Sequence, residues 1–282
     1  MNQWYFNPIL FEIGPFQAHW YGLMYALTFI IGYLALHYSK AGKILKLNTK
    51  DKDTFIFLII LGILLGARIG YILFYNLSFY IENPTNILRV WEGGMASHGG
   101  LIGAAIAVFI FVKIKKASFL ELADFIVKIA PIGIILIRIG NFINAELYGR
   151  IASQYCIYFP TDPSNCRYPS QLFQAFLEGF ILLIILYFIS KKTKTPGVLA
   201  SYFLILYGLF RIIGEFFREP DPQIGFLYAN ITQGQILSSL MIAAGAGLLL
   251  SIHKKWYNKG NEKTKKNKKE NSKKSGSNKS KN

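Results

Sequence analysis

Seven apolar runs, each near the length of a membrane span, constrain this chain more than any other feature. A helix that crosses hydrocarbon needs roughly 20 mainly apolar residues. It must be a helix, because no water is present there to pair stray backbone N–H and C=O groups. The runs lie at 16–38, 55–75, 97–114, 122–144, 171–189, 197–217 and 234–252. The third opens on Ser97-His98-Gly99-Gly100 and the sixth contains Arg211 and Glu215, so these two have the most polar edges. Glycine inside the runs is no objection, since close helix packing in lipid uses it. The pattern predicts an all-α polytopic membrane protein with seven transmembrane helices.

Charge then sets an orientation. The chain is 52% hydrophobic and still carries a formal charge of +16, with mean hydropathy +0.33. So much apolar surface does not fit into one soluble core of this size. Lys40, Lys43, Lys46, Lys50 and Lys52 lie between runs 1 and 2, Lys113, Lys115 and Lys116 between 3 and 4, and Lys191, Lys192 and Lys194 between 5 and 6. The alternate loops, 76–96, 145–170 and 218–233, have no lysine. The positive-inside bias therefore gives N-terminus out and C-terminus in, which an odd number of spans requires. The N-terminus lacks a basic region and a small-residue cleavage site, so the first run is expected to stay as a helix.

From Lys254 onward 12 lysines face only Glu262 and Glu270, which places +10 of the charge in this tail. Residues 254–282 are expected to form a disordered basic cytoplasmic tail, and 1–253 the transmembrane domain. Basic segments beside spans suit anionic lipid rather than nucleic acid. The longest outer loop, 145–170, is expected to form a small extracytoplasmic subdomain between helices 4 and 5. It holds Cys156 and Cys166, the chain's two cysteines. A disulfide and two free thiols are both compatible with the sequence.

Charge inside a span is costly and needs a partner, a wet cavity or a task. Lys128 can snorkel from the inner end of helix 4. Glu178 on helix 5 can satisfy Arg68 or serve a local polar network. Arg138 and Arg211 lie on helices running in the same direction, each about 9 Å below the outer end at 1.5 Å per residue. Helices 1 and 3 run the other way and bring Tyr21 and His98 to the same level. Asn141 and Glu146 follow Arg138, and Glu215 stands four residues after Arg211 on one helix face. One layer thus gathers Tyr21, His98, Arg138, Asn141, Glu146, Arg211 and Glu215. As structure alone, this is an ion-pair network with Arg138–Glu146 or Arg211–Glu215 as local pairs. As function, it is a cavity open to lipid in which two guanidinium forks suit a phosphodiester. One histidine without further ligands argues for acid–base or electrostatic chemistry rather than a metal. A transporter is the competing class, but no inverted repeat is evident and the charges crowd at one depth.

The stretch Arg138-Ile139-Gly140-Asn141-Phe142-Ile143-Asn144-Ala145-Glu146-Leu147-Tyr148-Gly149 closely resembles the signature of the bacterial prolipoprotein diacylglyceryl transferases. Around it stand His19-Trp20-Tyr21-Gly22-Leu23-Met24-Tyr25, Ser97-His98-Gly99-Gly100-Leu101-Ile102-Gly103, Tyr168-Pro169-Ser170-Gln171-Leu172-Phe173, and Tyr207 to Arg211 leading to Glu215 and Arg218. These five motifs, in order, cover about residues 8 to 250 and leave the tail outside.

The resemblance implies a seven-helix bacterial inner-membrane enzyme with an extracytoplasmic head. It would transfer the diacylglyceryl group of phosphatidylglycerol to the lipobox cysteine of a prolipoprotein, forming a thioether and releasing glycerol phosphate, with no cofactor. It also implies catalytic roles for Tyr21, His98, Arg138, Arg211 and Glu215, and substrate binding by Arg138, Asn141, Glu146, Gly149 and Arg211. A monomer is expected. Three positions depart from the pattern. Ile137 and Ala145 stand where glycines are common, and Tyr168 where a histidine often precedes Pro-Ser-Gln-Leu.

Overall fold

The computed structural model describes residues 6–14, 16–89, 93–220, 225–227 and 231–255. Among these, seven helices have 18 residues or more: α1 (Trp20–Tyr38), α2 (Thr49–Tyr75), α3 (Ser97–Lys115), α4 (Phe119–Ile143), α5 (Ser170–Lys192), α6 (Val198–Glu215) and α7 (Gln233–Lys255). Five of them, α1, α2, α5, α6 and α7, are long and apolar enough to cross a membrane. The protein is an all-α polytopic membrane protein. Its tail beyond Lys255 lies outside the described residues.

Two boundaries differ from the apolar runs for local reasons. Residues 16–19 do not begin α1. Gly14, at φ +59°, turns the chain so that β1 (Ile9–Ile13) pairs antiparallel with β2 (Phe16–His19). Helix α2 starts at Thr49 rather than 55, because Asn48 Oδ1 accepts from Asp51 N at 2.8 Å and the polar turn 49–53 joins the helix.

Polarity in the bundle is inverted relative to a soluble protein. Leu65, Ile69, Phe109, Phe180, Phe188 and Leu250 are exposed. Gln171, Gln174, Glu178 and Ser238 are fully buried. Apolar outer faces need no water when the solvent is lipid, so packing must come from close contact and polar pairing. The α2–α3 pair shows the contact. Gly62, Gly66 and Gly70 of α2 lie directly against Gly99 and Gly103 of α3, and a methyl at any of the three would enter the opposite backbone. Elsewhere Gly140 admits Tyr21 of α1 to α4, and Gly208 admits Ser238 and Ile242 of α7 to α6.

At one end of the bundle Asp124 of α4 accepts from Gly197 N and Ala200 N, both at 2.8 Å, and so caps α6 from another helix. At the other end, between α4 and α5, stands a small head. Its hairpin pairs β3 (Ile157–Phe159) with β4 (Asp162–Arg167), closed by a Cys156–Cys166 disulfide with Cα atoms 5.3 Å apart. The structure thus resolves the two cysteines in favour of the bond. Phe159 is buried against Phe142 and Tyr148. Arg167 pairs with Asp162 and Glu219 and lies over the Tyr148 ring.

Candidate active site

At the head end, α4, α5 and α6 bring two guanidiniums onto one carboxylate. Arg138 Nη2 lies 3.5 Å from Glu178 Oε2, and Arg211 Nη1 lies 3.5 Å from Glu178 Oε1. Glu178 is 0% exposed. It sits in a π-helical stretch, Ala175–Ile181, inside α5. Such a wide turn shifts the facing of every residue after it, and it is enriched at functional sites.

Each arginine has a second partner. Arg211 Nη2 lies 2.6 Å from Glu215 Oε1, one turn on, and Glu215 Oε2 accepts from Thr232 Oγ1 at 2.8 Å. Arg138 Nη1 donates to Asn141 Oδ1 at 3.4 Å, and Asn141 Nδ2 donates to Glu146 Oε1 at 2.7 Å. The expected Arg138–Glu146 pair is therefore relayed through Asn141, whereas Arg211–Glu215 is direct. The Tyr21 hydroxyl pairs with Tyr25 at 3.2 Å and interacts with the Asn141 amide.

The Glu146 turn is backbone under tension. Ala145 and Leu147 have φ of +52° and +57°, a region that costs a non-glycine residue about 1–2 kcal/mol. This is why Ala145 stands at a position suited to glycine. The start of α5 holds the turn in place. Gln171 Nε2 donates to Glu146 O at 2.6 Å, and Ser170 Oγ donates to Leu147 O at 3.0 Å.

Tyr21, Arg138, Asn141, Glu146, Arg211 and Glu215 thus form one connected cluster with Glu178. Gly149 is not part of this cluster. Its N–H donates to Tyr168 O at 2.8 Å and it bridges to Arg218, so a side chain there would enter Phe217 and Tyr168. His98 lies in the first turn of α3, and its side chain is outside the described residues. Arg68 does not reach Glu178. Its guanidinium donates to the carbonyls of Asn86, Ile87, Arg89, Gly93 and Gly94 at 2.5–3.2 Å, because it lies beneath that loop.

Three residues escaped the sequence reading. Thr232 offers only a loop hydroxyl. Gln171 sits in a quoted motif but without a role. Gln174 is fully buried beside Glu178 and Gly214, and neither amide atom has a hydrogen bond among the described residues.

The fold and the cluster define a polytopic membrane protein in which two arginines converge on one buried carboxylate. A family model for prolipoprotein diacylglyceryl transferase matches residues 8–251. The chain is 44% identical to the phosphatidylglycerol–prolipoprotein diacylglyceryl transferase of Buchnera aphidicola subsp. Acyrthosiphon pisum (strain APS), over 90% of this chain and 97% of that one. It is 45% identical to that of Pasteurella multocida (strain Pm70), over 87% and 92%, and 46% identical to that of Azospirillum brasilense, over 88% and 95%. The chain belongs to the prolipoprotein diacylglyceryl transferase family.

Proposed function

We propose that Arg138 and Arg211 hold the phosphate of phosphatidylglycerol while a prolipoprotein cysteine attacks the lipid. The enzyme transfers the diacylglyceryl group from phosphatidylglycerol to the lipobox cysteine, forming a thioether and releasing glycerol phosphate. It thereby carries out the first step of bacterial lipoprotein maturation in the inner membrane. The observation that carries the site reading is the convergence of both guanidiniums on one buried point, 3.5 Å from each oxygen of Glu178. Guanidinium forks in a low-dielectric site attract a phosphate far more strongly than in water.

A thiol titrates near pKa 8.5, so at neutral pH a base speeds its attack. His98 is assigned as that base on residue type, since an imidazole titrates near 6.5. The sulfur attacks the glyceryl carbon that carries the phosphate ester. The C–O bond breaks and its electron pair leaves on the phosphate, where the arginines stabilise it. Glu215 and Glu146 orient the guanidiniums, directly and through Asn141. Tyr21 and Asn141 supply hydrogen bonds to the headgroup. Gly149 serves by letting the head approach the end of α6.

The lysine-bearing alternate loops support seven spans with the N-terminus out, the loops and tail inside, and this site and the head on the extracytoplasmic side. The lysines of those loops and of the 254–282 tail meet anionic lipid, and the 1–253 domain works as a monomer.

The test is incubation of the purified protein with phosphatidylglycerol and a one-cysteine lipobox peptide, reading peptide mass. A gain of one diacylglyceryl group is expected, absent with a serine peptide and abolished by Arg138→Ala. An unchanged rate in that variant overturns the site reading.

A further inference from the structure

Glu178 is the one acid in the cluster that touches both cations, and the chemistry above gives it no task. It is fully buried, yet neither oxygen has a hydrogen bond among the described residues. Its contacts to the two arginines are 3.5 Å, against 2.6 Å for Arg211–Glu215. It is therefore held by charge rather than by directed bonds. The packing around it is close: a methyl at Gly179 would meet Ile135 of α4, and one at Gly214 of α6 would lie 3.2 Å from both Glu178 Oε1 and Gln174 Cγ.

The reaction changes the charge that these cations hold. The lipid is a phosphodiester with one negative charge. Forming the S–C bond and breaking the C–O bond leaves a phosphomonoester of about −1.5 to −2 at neutral pH, its second pKa being near 6. The thiol proton goes to the base. Two arginines alone would grip this product more tightly than the substrate, because attraction scales with charge. A fixed carboxylate on the same two guanidiniums repels the product about twice as strongly as the substrate.

We propose that Glu178 is a positioning residue that acts as an internal counter-ion, holding Arg138 and Arg211 at bridging separation and weakening the hold on the departing phosphomonoester. The inference rests on the reading of those arginines as the phosphate site. Arg211 keeps Glu215 when Glu178 is neutralised, so removing this charge does not leave Arg211 without an acidic partner.

Equilibrium dialysis of labelled glycerol phosphate against purified wild type, Glu178→Asp and Glu178→Gln tests it without requiring turnover. Thermal unfolding of each protein confirms that it is folded. The expected result is tighter binding in Glu178→Gln by about tenfold or more, the order for one nearby charge in a partly buried site. Glu178→Asp, with its carboxylate drawn back, falls between. The gap narrows as pH falls through about 6, where the monoester loses its second charge. In the lipidation assay, KM for phosphatidylglycerol falls by less than the product's dissociation constant, and kcat falls as release becomes slow. Equal binding by wild type and Glu178→Gln, or tightening that ignores pH, overturns the counter-ion role. Glycerol phosphate binding unaffected by Arg138→Ala overturns the phosphate-site reading beneath it, which is a separate failure.

Discussion

Arg211 and Glu215 are joined within one turn of α6 at 2.6 Å, and Thr232, from the segment before α7, fixes the other carboxylate oxygen at 2.8 Å. Glu215 is 3% exposed. The pair leaves Arg211 with its guanidinium spread between two acids on different helices, because Nη1 faces Glu178 while Nη2 faces Glu215. A planar fork can do this and a single ammonium cannot.

Arg211→Lys keeps the charge and loses the fork. Its expected cost in kcat/KM for lipidation is about 100-fold, the scale for removing one preorganised donor from a developing anion. Steady-state kinetics with the lipobox peptide measure it. A near-wild-type rate would mean that the charge alone is sufficient.

The α2–α3 seam gives a second expectation. Gly66→Leu drives a side chain into the Gly99 and Gly103 backbone, which cannot yield as a flexible side chain would. Overpacking of this kind costs about 1–3 kcal/mol, and the upper end applies against backbone. Gly32→Leu on α1 has nothing within 4 Å and is the control. Thermal unfolding in detergent should show a clear fall for the first and little change for the second.

The depth of each polar residue in its span was legible in the sequence, and its facing was not. Alternating helix directions and residue counts placed Tyr21, Arg138, Asn141, Glu146, Arg211 and Glu215 in one layer, and the structure connects them. On sequence alone Glu178 can face Arg68 or a local network, because the π-helical stretch at Ala175–Ile181 breaks the 3.6-residue periodicity on which facing depends. The partners of Arg68 are main-chain carbonyls, which every residue carries and no composition marks. Gly149 stands in the signature, which implies a substrate contact. Its place against Phe217 and Tyr168 depends on the head folding back onto α6, a long-range contact that spacing does not reveal.

Arg68 is expected to matter for stability. Its guanidinium makes five hydrogen bonds to loop carbonyls and lies 5.1 Å from the Tyr80 ring. Arg68→Ala leaves those carbonyls without their charged donor, at about 1.5–3 kcal/mol for a hydrogen bond of this kind. The loss exceeds one such bond, since water can replace only those at the surface. Limited proteolysis should show cleavage at the 83–94 loop that the wild type resists. Arg68→Lys, with three donors on one nitrogen, should restore part of the protection.

The head offers the last expectation, because its hairpin is closed twice. The Cys156–Cys166 bond spans ten residues, a loop for which cross-linking is worth about 2–3 kcal/mol. Beside it Arg167, with Asn165, holds the Asp162 carboxyl below its ordinary range. A depressed carboxylate stabilises the fold fully above its unfolded pKa, about 3.9, and that contribution is lost as pH falls through the lower folded value. At neutral pH the Cys156→Ser, Cys166→Ser protein should therefore keep its hairpin with faster amide exchange across Ile157–Phe159 and Asp162–Arg167. Its lipidation rate should fall far less than that of Arg138→Ala, since no cluster residue lies within the bridged loop. As pH falls from about 3.9 through the lower folded value, the same protein loses its second closure and the exchange rises again. Asp162→Asn in that background removes the acid step. An acid step that survives the substitution would assign the titration to another group.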